Sequence, residues 1–175
     1  MDNYLPIGLE SERLHFRPLQ TTDFEAWLPF HRDSRSTQYW VGGPADPKQA
    51  CQQDLDRTFD RYTTQKGGRM ALTHKNTGQL IGLCGFLVQT VDDLTELEIG
   101  YSILPEYWGQ GYASEAAIAC RQYAQKNELA KSLISIIHVD NLPSKKVALK
   151  NGMTLDKISV YKNNPVEIYR VILGG

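Results

Sequence analysis

At 175 residues and 19.8 kDa the chain is long enough for one well-buried domain and too short for two of ordinary size. Its 41% hydrophobic and 22% charged residues are ordinary globular composition, and a formal net charge of -1 gives no electrostatic reason to bind nucleic acid or an anionic membrane. Cys51, Cys84 and Cys120 are odd in number and far apart in apolar settings, which excludes a disulfide framework or a C-x-x-C metal site; with no signal-like or membrane-length apolar run, a soluble, cytoplasmic protein is expected.

Leu14-His15-Phe16-Arg17-Pro18-Leu19 alternates and ends at proline, which predicts a first strand, and Thr21-Thr22-Asp23 offers N-cap oxygens to a helix carrying Phe24, Trp27 and Leu28. Asp46-Pro47 reads as a cap followed by a proline at the first helical position, and Cys51, Leu55, Phe59 and Tyr62 recur at helical spacing to about Gln65. Arg69 to His74 and Leu80 to Val88 flank the turn Lys75-Asn76-Thr77-Gly78 as an antiparallel hairpin, and a strand from Leu97 to Leu104 follows an acidic loop around Asp92 and Asp93. A helix from Ala113 to about Lys126 has an alanine-rich apolar face. Leu133 to Val139, apolar on both faces apart from Ser135 and His138, reads as a central strand. Asn141-Leu142-Pro143-Ser144 opens a short helix through Leu149 with Gly152 just past its end. Strands near Thr154 to Tyr161 and Val166 to Leu173, separated by Asn163-Asn164-Pro165, close a mixed α/β chain built around one sheet.

The most informative stretch is Trp108-Gly109-Gln110-Gly111-Tyr112-Ala113-Ser114-Glu115-Ala116, where a loop with two glycines runs directly into a helix. Gly109 and Gly111 can adopt positive φ and expose backbone N–H groups, and the helix start adds unpaired donors and a partial positive charge, so a pyrophosphate fits there without a lysine. The same glycines alone are also compatible with a simple tight turn.

Three blocks together resemble the GCN5-related N-acetyltransferase (GNAT) family, in particular its RimJ/RimL-like branch of ribosomal-protein N-terminal acetyltransferases. Glu98-Ile99-Gly100-Tyr101 followed by Pro105 to Ala116 is similar to that branch's acetyl-CoA motif. Asn141-Leu142-Pro143-Ser144 with Lys150-Asn151-Gly152-Met153 is similar to its second signature, and the strand and helix from Leu14 to Phe30 match more loosely. Trp108 stands where the wider family usually has Arg or Gln, a departure that the branch shares. The resemblance implies a central, mostly antiparallel sheet of about seven strands, splayed between the fourth and fifth and flanked by about four helices.

It also implies acetyl-CoA as cosubstrate and no metal. The backbone from Trp108 through Gly109, Gln110, Gly111, Tyr112 and Ala113 to Ser114 would hold the pyrophosphate. Ile99, Tyr101 and Ile103 would pair with the pantetheine arm, and Ile99 or Gly100 N–H would face the oxyanion. Period-2 alternation puts Glu96, Glu98, Gly100 and Ser102 on one face and Leu97, Ile99, Tyr101 and Ile103 on the other. Glu98 is the candidate base, with a pKa raised by desolvation; its alternative is a solvated or salt-bridged carboxylate. Asn141 and Ser144 lie one helical turn apart and could face the thiol, with Ser144 the candidate proton donor, or the pair could merely cap the helix. Tyr101, Tyr161 and Tyr169 are rival donors. His138 with Asp140 reads as structural, since no third ligand lies nearby, Lys145 and Lys146 could reach a CoA phosphate, and Cys84 and Cys120 are expected to fill core space.

The expected reaction is direct attack of a primary amine on the thioester. The branch suggests a protein N-terminal α-amine as acceptor, while related folds act on polyamines, amino acids or aminoglycosides, and a non-catalytic acyl-CoA-binding regulatory module is the alternative of a different class. The acceptor surface is expected between Tyr39 and Gln65 and at the loops near Asp92 and Asn163, where Asp46, Asp54, Asp56, Asp60, Asp92 and Asp93 could attract a cation among interspersed Lys48, Arg57 and Arg61. A Rossmann site is disfavoured because the third glycine is missing, and a Walker loop is absent. A monomer or homodimer is expected.

Overall fold

The computed structural model describes residues 4–174. Strands β1 (Leu14–Arg17), β2 (Gly67–His74), β3 (Leu80–Val91), β4 (Leu94–Ile103), β5 (Ser132–His138), β6 (Thr154–Tyr161) and β7 (Asn164–Ile172) form one seven-stranded sheet in the order β1-β2-β3-β4-β5-β7-β6. All neighbours are antiparallel except β4 and β5, which run parallel and share a single registered pair, Glu98 with Ile134. Helices α1 (Phe24–Arg32) and α2 (Pro47–Thr63) cover one face, and α3 (Tyr112–Lys126) and α4 (Leu142–Lys150) cover the other.

The period-2 pattern of β2 explains the two cores. Met70 and Leu72 point toward α3 with Phe16, Phe86, Ile99, Ala116 and Cys120, while Ala71 faces α1 and α2 with Trp27, Leu28, Leu55 and Leu83. On β4 the expected division holds: Leu97, Ile99, Tyr101 and Ile103 belong to the α3 side. The three thiols are free and buried, and the Cys84 and Cys120 sulfurs lie 3.8 Å apart in the core.

Local chemistry sets the ends. Asp46 accepts from the Gln49 N–H at 3.1 Å ahead of Pro47, and Asn141 accepts from the Ser144 N–H at 3.2 Å ahead of Pro143, two caps of the kind the sequence predicts. Three expectations are corrected. The Asp23 carboxylate does not cap α1; it turns back to take the Arg17 guanidinium at 2.7 and 2.8 Å and the Gln20 N–H at 2.8 Å. The acidic connection lies at Asp92 and Asp93 as expected, but the strands run on to meet it, β3 to Val91 and β4 from Leu94, leaving a two-residue hairpin turn at φ 48 and 64°. The last hairpin turns at Lys162-Asn163, φ 48 and 65°, so β7 already begins at Asn164.

Candidate active site

Past the Glu98–Ile134 pair β4 and β5 diverge, and side chains take over the hydrogen bonds that a continuous sheet would have made. Ser135 Oγ donates to the Ile99 carbonyl at 3.1 Å, and the Ile136 N–H donates to Glu98 Oε2 at 3.1 Å. Glu98 is 8% exposed, and its other oxygen accepts from Gln89 Nε2 at 3.1 Å. Burial pushes its carboxyl above the ordinary carboxylate range, against the opposing pull of those two hydrogen bonds. The orientation of Gln89 is fixed in turn, because its Oε1 accepts from Arg61 Nη2 at 3.0 Å and from the Tyr161 hydroxyl at 2.8 Å.

Glu98 opens onto a cavity of about 770 Å³ that runs from the strand divergence to the α1–α2 face and is roofed by the segment around Tyr39 to Pro44. Its floor is cleared by Gly100, where an added Cβ would stand 2.7 Å from the Leu87 side chain. At the back, Asp54, 2% exposed, accepts from Trp27 Nε1 at 2.9 Å and from the Arg69 guanidinium at 2.5 Å, with His31 Nε2 at 3.1 Å. Burial raises the Asp54 pKa but Arg69, His31 and Trp27 outweigh it, so the carboxylate is held well below its usual range. Arg69 then reaches across the sheet to donate to Ser102 Oγ at 2.9 Å.

On the opposite face, Gly111 is the α3 N-cap in the left-handed region at φ 83°, and no side chain caps the first turn, so its N–H groups stay available. Glu115 and Arg13 brace this turn. Arg13 Nε donates to Glu115 Oε1 at 2.7 Å, its backbone N–H donates to Oε2 at 2.9 Å, and its Nη1 donates to the Gln110 carbonyl at 3.0 Å. The Arg13 guanidinium also lies 4.1 Å from the Tyr112 ring centroid, placing a cation beside the glycine loop. Trp108 anchors the loop from below, donating its indole N–H to the Ile103 carbonyl at 2.7 Å.

Between the two halves, the Tyr101 hydroxyl donates to the Ser144 carbonyl at 2.9 Å and receives the Ser144 hydroxyl at 3.3 Å. Burial pushes the Tyr101 phenol well above its ordinary pKa.

A family model described as an acetyltransferase (GNAT) domain matches residues 13–154, a span that contains the glycine loop, Glu98 and Ser144. The chain belongs to the GNAT family of N-acetyltransferases. It is 41% identical to the uncharacterized N-acetyltransferase YnaD of Bacillus subtilis over 147 residues, 84% of this chain and 82% of that one. Its match to YkkB of the same organism, 37% identical over 95 residues, spans 55% of that protein. An acetyltransferase structure from Agrobacterium tumefaciens superposes with a TM-score of 0.77 at 30% identity, covering 93% of this chain and 92% of that one. RimL, a ribosomal L7/L12 α-N-protein acetyltransferase in complex with coenzyme A, superposes at 0.70 with 17% identity, covering 96% and 97%, a likeness of fold.

In this N-acetyltransferase, Glu98, Ile99, Gly100, Tyr101 and Ser144 line one cavity, whereas Trp108 to Ser114 lie outside it, at the start of α3. Of the rival tyrosines, Tyr101 touches Ser144; Tyr161 is bound to Gln89, and Tyr169 donates to Glu167 at 3.0 Å. Two expectations fail. Lys145 is not free for a phosphate: it donates to the Val139 carbonyl and pairs with Glu167 at 3.0 Å. Of the six acids offered to a cationic acceptor only Asp54 lines the cavity, and Asp92 is turned to Lys157 at 2.9 Å and Ser159 at 2.8 Å. His138 stacks on Tyr39 at 4.7 Å, and among the described residues no three His, Cys, Asp or Glu groups could hold a metal. Gln89, Arg13 and the Asp54–Arg69 pair went unread in the sequence, since each acquires meaning only from a partner on another element.

Proposed function

We propose that this enzyme moves the acetyl group of acetyl-CoA to a primary amine by direct attack, with Glu98 as the base. The observation that carries the reading is a buried carboxylate at the divergence of β4 and β5 whose pKa is raised toward neutrality, the property needed to take a proton from an ammonium. The cosubstrate supplies the activated acyl carbon. The residues present fit it: the uncapped α3 turn with Arg13 beside it suits a pyrophosphate, and the unpaired edge of β4 after Glu98 suits an extended amide-bearing arm.

Glu98 accepts the ammonium proton, directly or through one water. The Ile99 or Gly100 N–H faces the developing oxyanion; as the C–N bond forms and the C–S bond breaks, the Ser144 hydroxyl, positioned by its hydrogen bond to Tyr101, gives its proton to the departing sulfur and is reloaded by the second proton of the attacking amine. Asn141 holds Ser144 in place through the cap. The acceptor suggested by the branch motif is a protein N-terminal α-amine.

Incubation with acetyl-labelled CoA and a cell extract tests this. Label appearing on protein N-termini and lost in Glu98→Gln supports the full reading, label on small amines moves the acceptor to metabolites, and binding of acetyl-CoA with no transfer sinks the transferase reading in favour of a regulatory module.

A further inference from the structure

The acceptor end of the cavity carries more positive than negative charge. Leaving His31 aside, its lining includes Arg32, Arg57, Arg61, Arg69 and Lys162 against Asp54 and Glu98 alone. Arg69 is neutralised by Asp54, but the others are not neutralised in the same way. Arg61 spends its donors on neutral groups, the Lys66 and Val88 carbonyls at 3.1 Å and Gln89 Oε1 at 3.0 Å. Arg57 reaches Asp54 only at 3.5 Å, on the same Oδ1 that Arg69 already holds, with a side chain 56% exposed. Lys162 makes no ion pair among the described residues; its ammonium sits 5.3 Å from the centroid of the Tyr161 ring. Burial lowers the Lys162 pKa, and Arg61 and Arg57 lower it further against a smaller opposing pull from Glu98, so these three cations already work against one another. Gln89 ties the cluster to the base: Arg61 and Tyr161 both bond its Oε1 while its Nε2 bonds Glu98.

An ammonium arriving alone would meet Glu98 but also this excess of positive charge, and a polycation would fare worse. A molecule that carries an anion beside its amine resolves both demands, its anion relieving Arg57, Arg61 and Lys162 while its amine reaches Glu98. We infer that Arg57, Arg61 and Lys162 form an anion subsite, and that the acceptor bears a carboxylate or phosphate next to the amine that is acetylated. The inference deepens the transferase reading and rests on it.

Binding and turnover are measured separately at low ionic strength, where charge effects are greatest. Matched product analogues are titrated by calorimetry in the presence of CoA: N-acetylglycine against N-acetylglycinamide, N-acetyl-phosphoethanolamine against N-acetylethanolamine, and an acetylated peptide with Asp second against the same peptide with Asn. At least one anionic member is expected to bind tenfold or more tightly than its neutral mate, the pair identifying whether a free carboxylate, a phosphate or an acidic peptide supplies the charge. In the double variant Arg57→Gln/Lys162→Met the preference is expected to fall below threefold. Arg61 is left intact because it props Gln89, and retained CoA binding certifies the variant's fold. Equal affinity within every pair, no binding of any anionic probe, or a preference that survives the double variant overturns the subsite. Acetyl transfer to the corresponding free amines tests the chemistry itself: anion preference without transfer defeats the transferase reading alone, and transfer without preference defeats the subsite alone.

Discussion

At the scale of single residues, Glu98 combines two demands that pull in opposite directions. Burial makes its ionised form costly and its hydrogen bonds make that form tolerable, with burial the larger effect. In the proposed role of base Glu98 would work only when ionised, so kcat/KM is expected to fall as pH drops through its raised pKa, on a limb that lies above the ordinary carboxylate value of about 4.3. Glu98→Gln should remove that limb and lower kcat by about 10²–10³ while acetyl-CoA affinity stays within about twofold. The linkage sign is the reverse of the usual carboxylate case: with its folded pKa raised, Glu98 favours the fold at low pH and loses that contribution as pH rises through the folded value, so removing the charge favours the variant at neutral pH, offset by the one donor, Gln89 Nε2 or the Ile136 N–H, that the new amide nitrogen leaves unpaired. Ser144 and Tyr101 can be separated as well. Ser144→Ala removes a hydroxyl but keeps the carbonyl that Tyr101 binds, whereas Tyr101→Phe removes the donor to that carbonyl. If Ser144 protonates the sulfur, the serine variant should slow single-turnover acetyl transfer by about tenfold or more, and the tyrosine variant should act mainly on thermal stability. The opposite order would hand the role to Tyr101.

At the scale of elements, what could be read from the sequence was what neighbouring residues decide among themselves. Asp46-Pro47, Asn141-Leu142-Pro143 and the glycine loop announce helix starts because cap, first helical position and left-handed residue lie within a few positions of one another. Two non-glycine turns were read inexactly, Asp92-Asp93 in the reach of its flanking strands and Lys162-Asn163 in its position, because strand pairing there imposes positive φ without a glycine to mark it. The brace on α3 was illegible for a different reason: Arg13 and Glu115 are 102 positions apart, and each looks like an ordinary surface charge until the fold joins them. Gly111→Ala tests the element they brace. Its Cβ would sit 3.6 Å from Arg13 Nη2, an ordinary contact, so the cost comes from the backbone at φ 83°, about 1–2 kcal/mol. The expected kinetic result is a raised KM for acetyl-CoA with kcat largely kept.

At the scale of the whole molecule, Asp54 is the pin that joins α1, α2 and β2. Asp54→Ala would leave the Arg69 charge and the Trp27 N–H without their partner in the interior and should destabilise the protein by about 3–5 kcal/mol, read as a lowered urea midpoint. Because its folded pKa is depressed, the stability that Asp54 supplies is present above the unfolded value of about 3.9 and drains away as pH falls toward the folded one, so the wild type and the variant should converge in strong acid.

The divergence of β4 and β5 has a consequence for motion. With one registered pair between them, the sheet is two half-sheets, β1–β4 and β5–β7, joined at the seam by that pair and by the side chains of Glu98 and Ser135. Backbone amides beyond the seam that point into the gap, alternating with those bonded to β3 or β7, have no ladder to hold them and should exchange with deuterium at rates set by local opening, well ahead of those in the β2–β3 ladder. A cosubstrate arm laid against β4 would supply the missing strand, so acetyl-CoA should slow exchange at Tyr101 and Ile103, in phase with Ile99 whose carbonyl faces the gap, while leaving β2 and β3 as they were. In that sense the protein keeps its own sheet unfinished, and the reactant would be the strand that completes it.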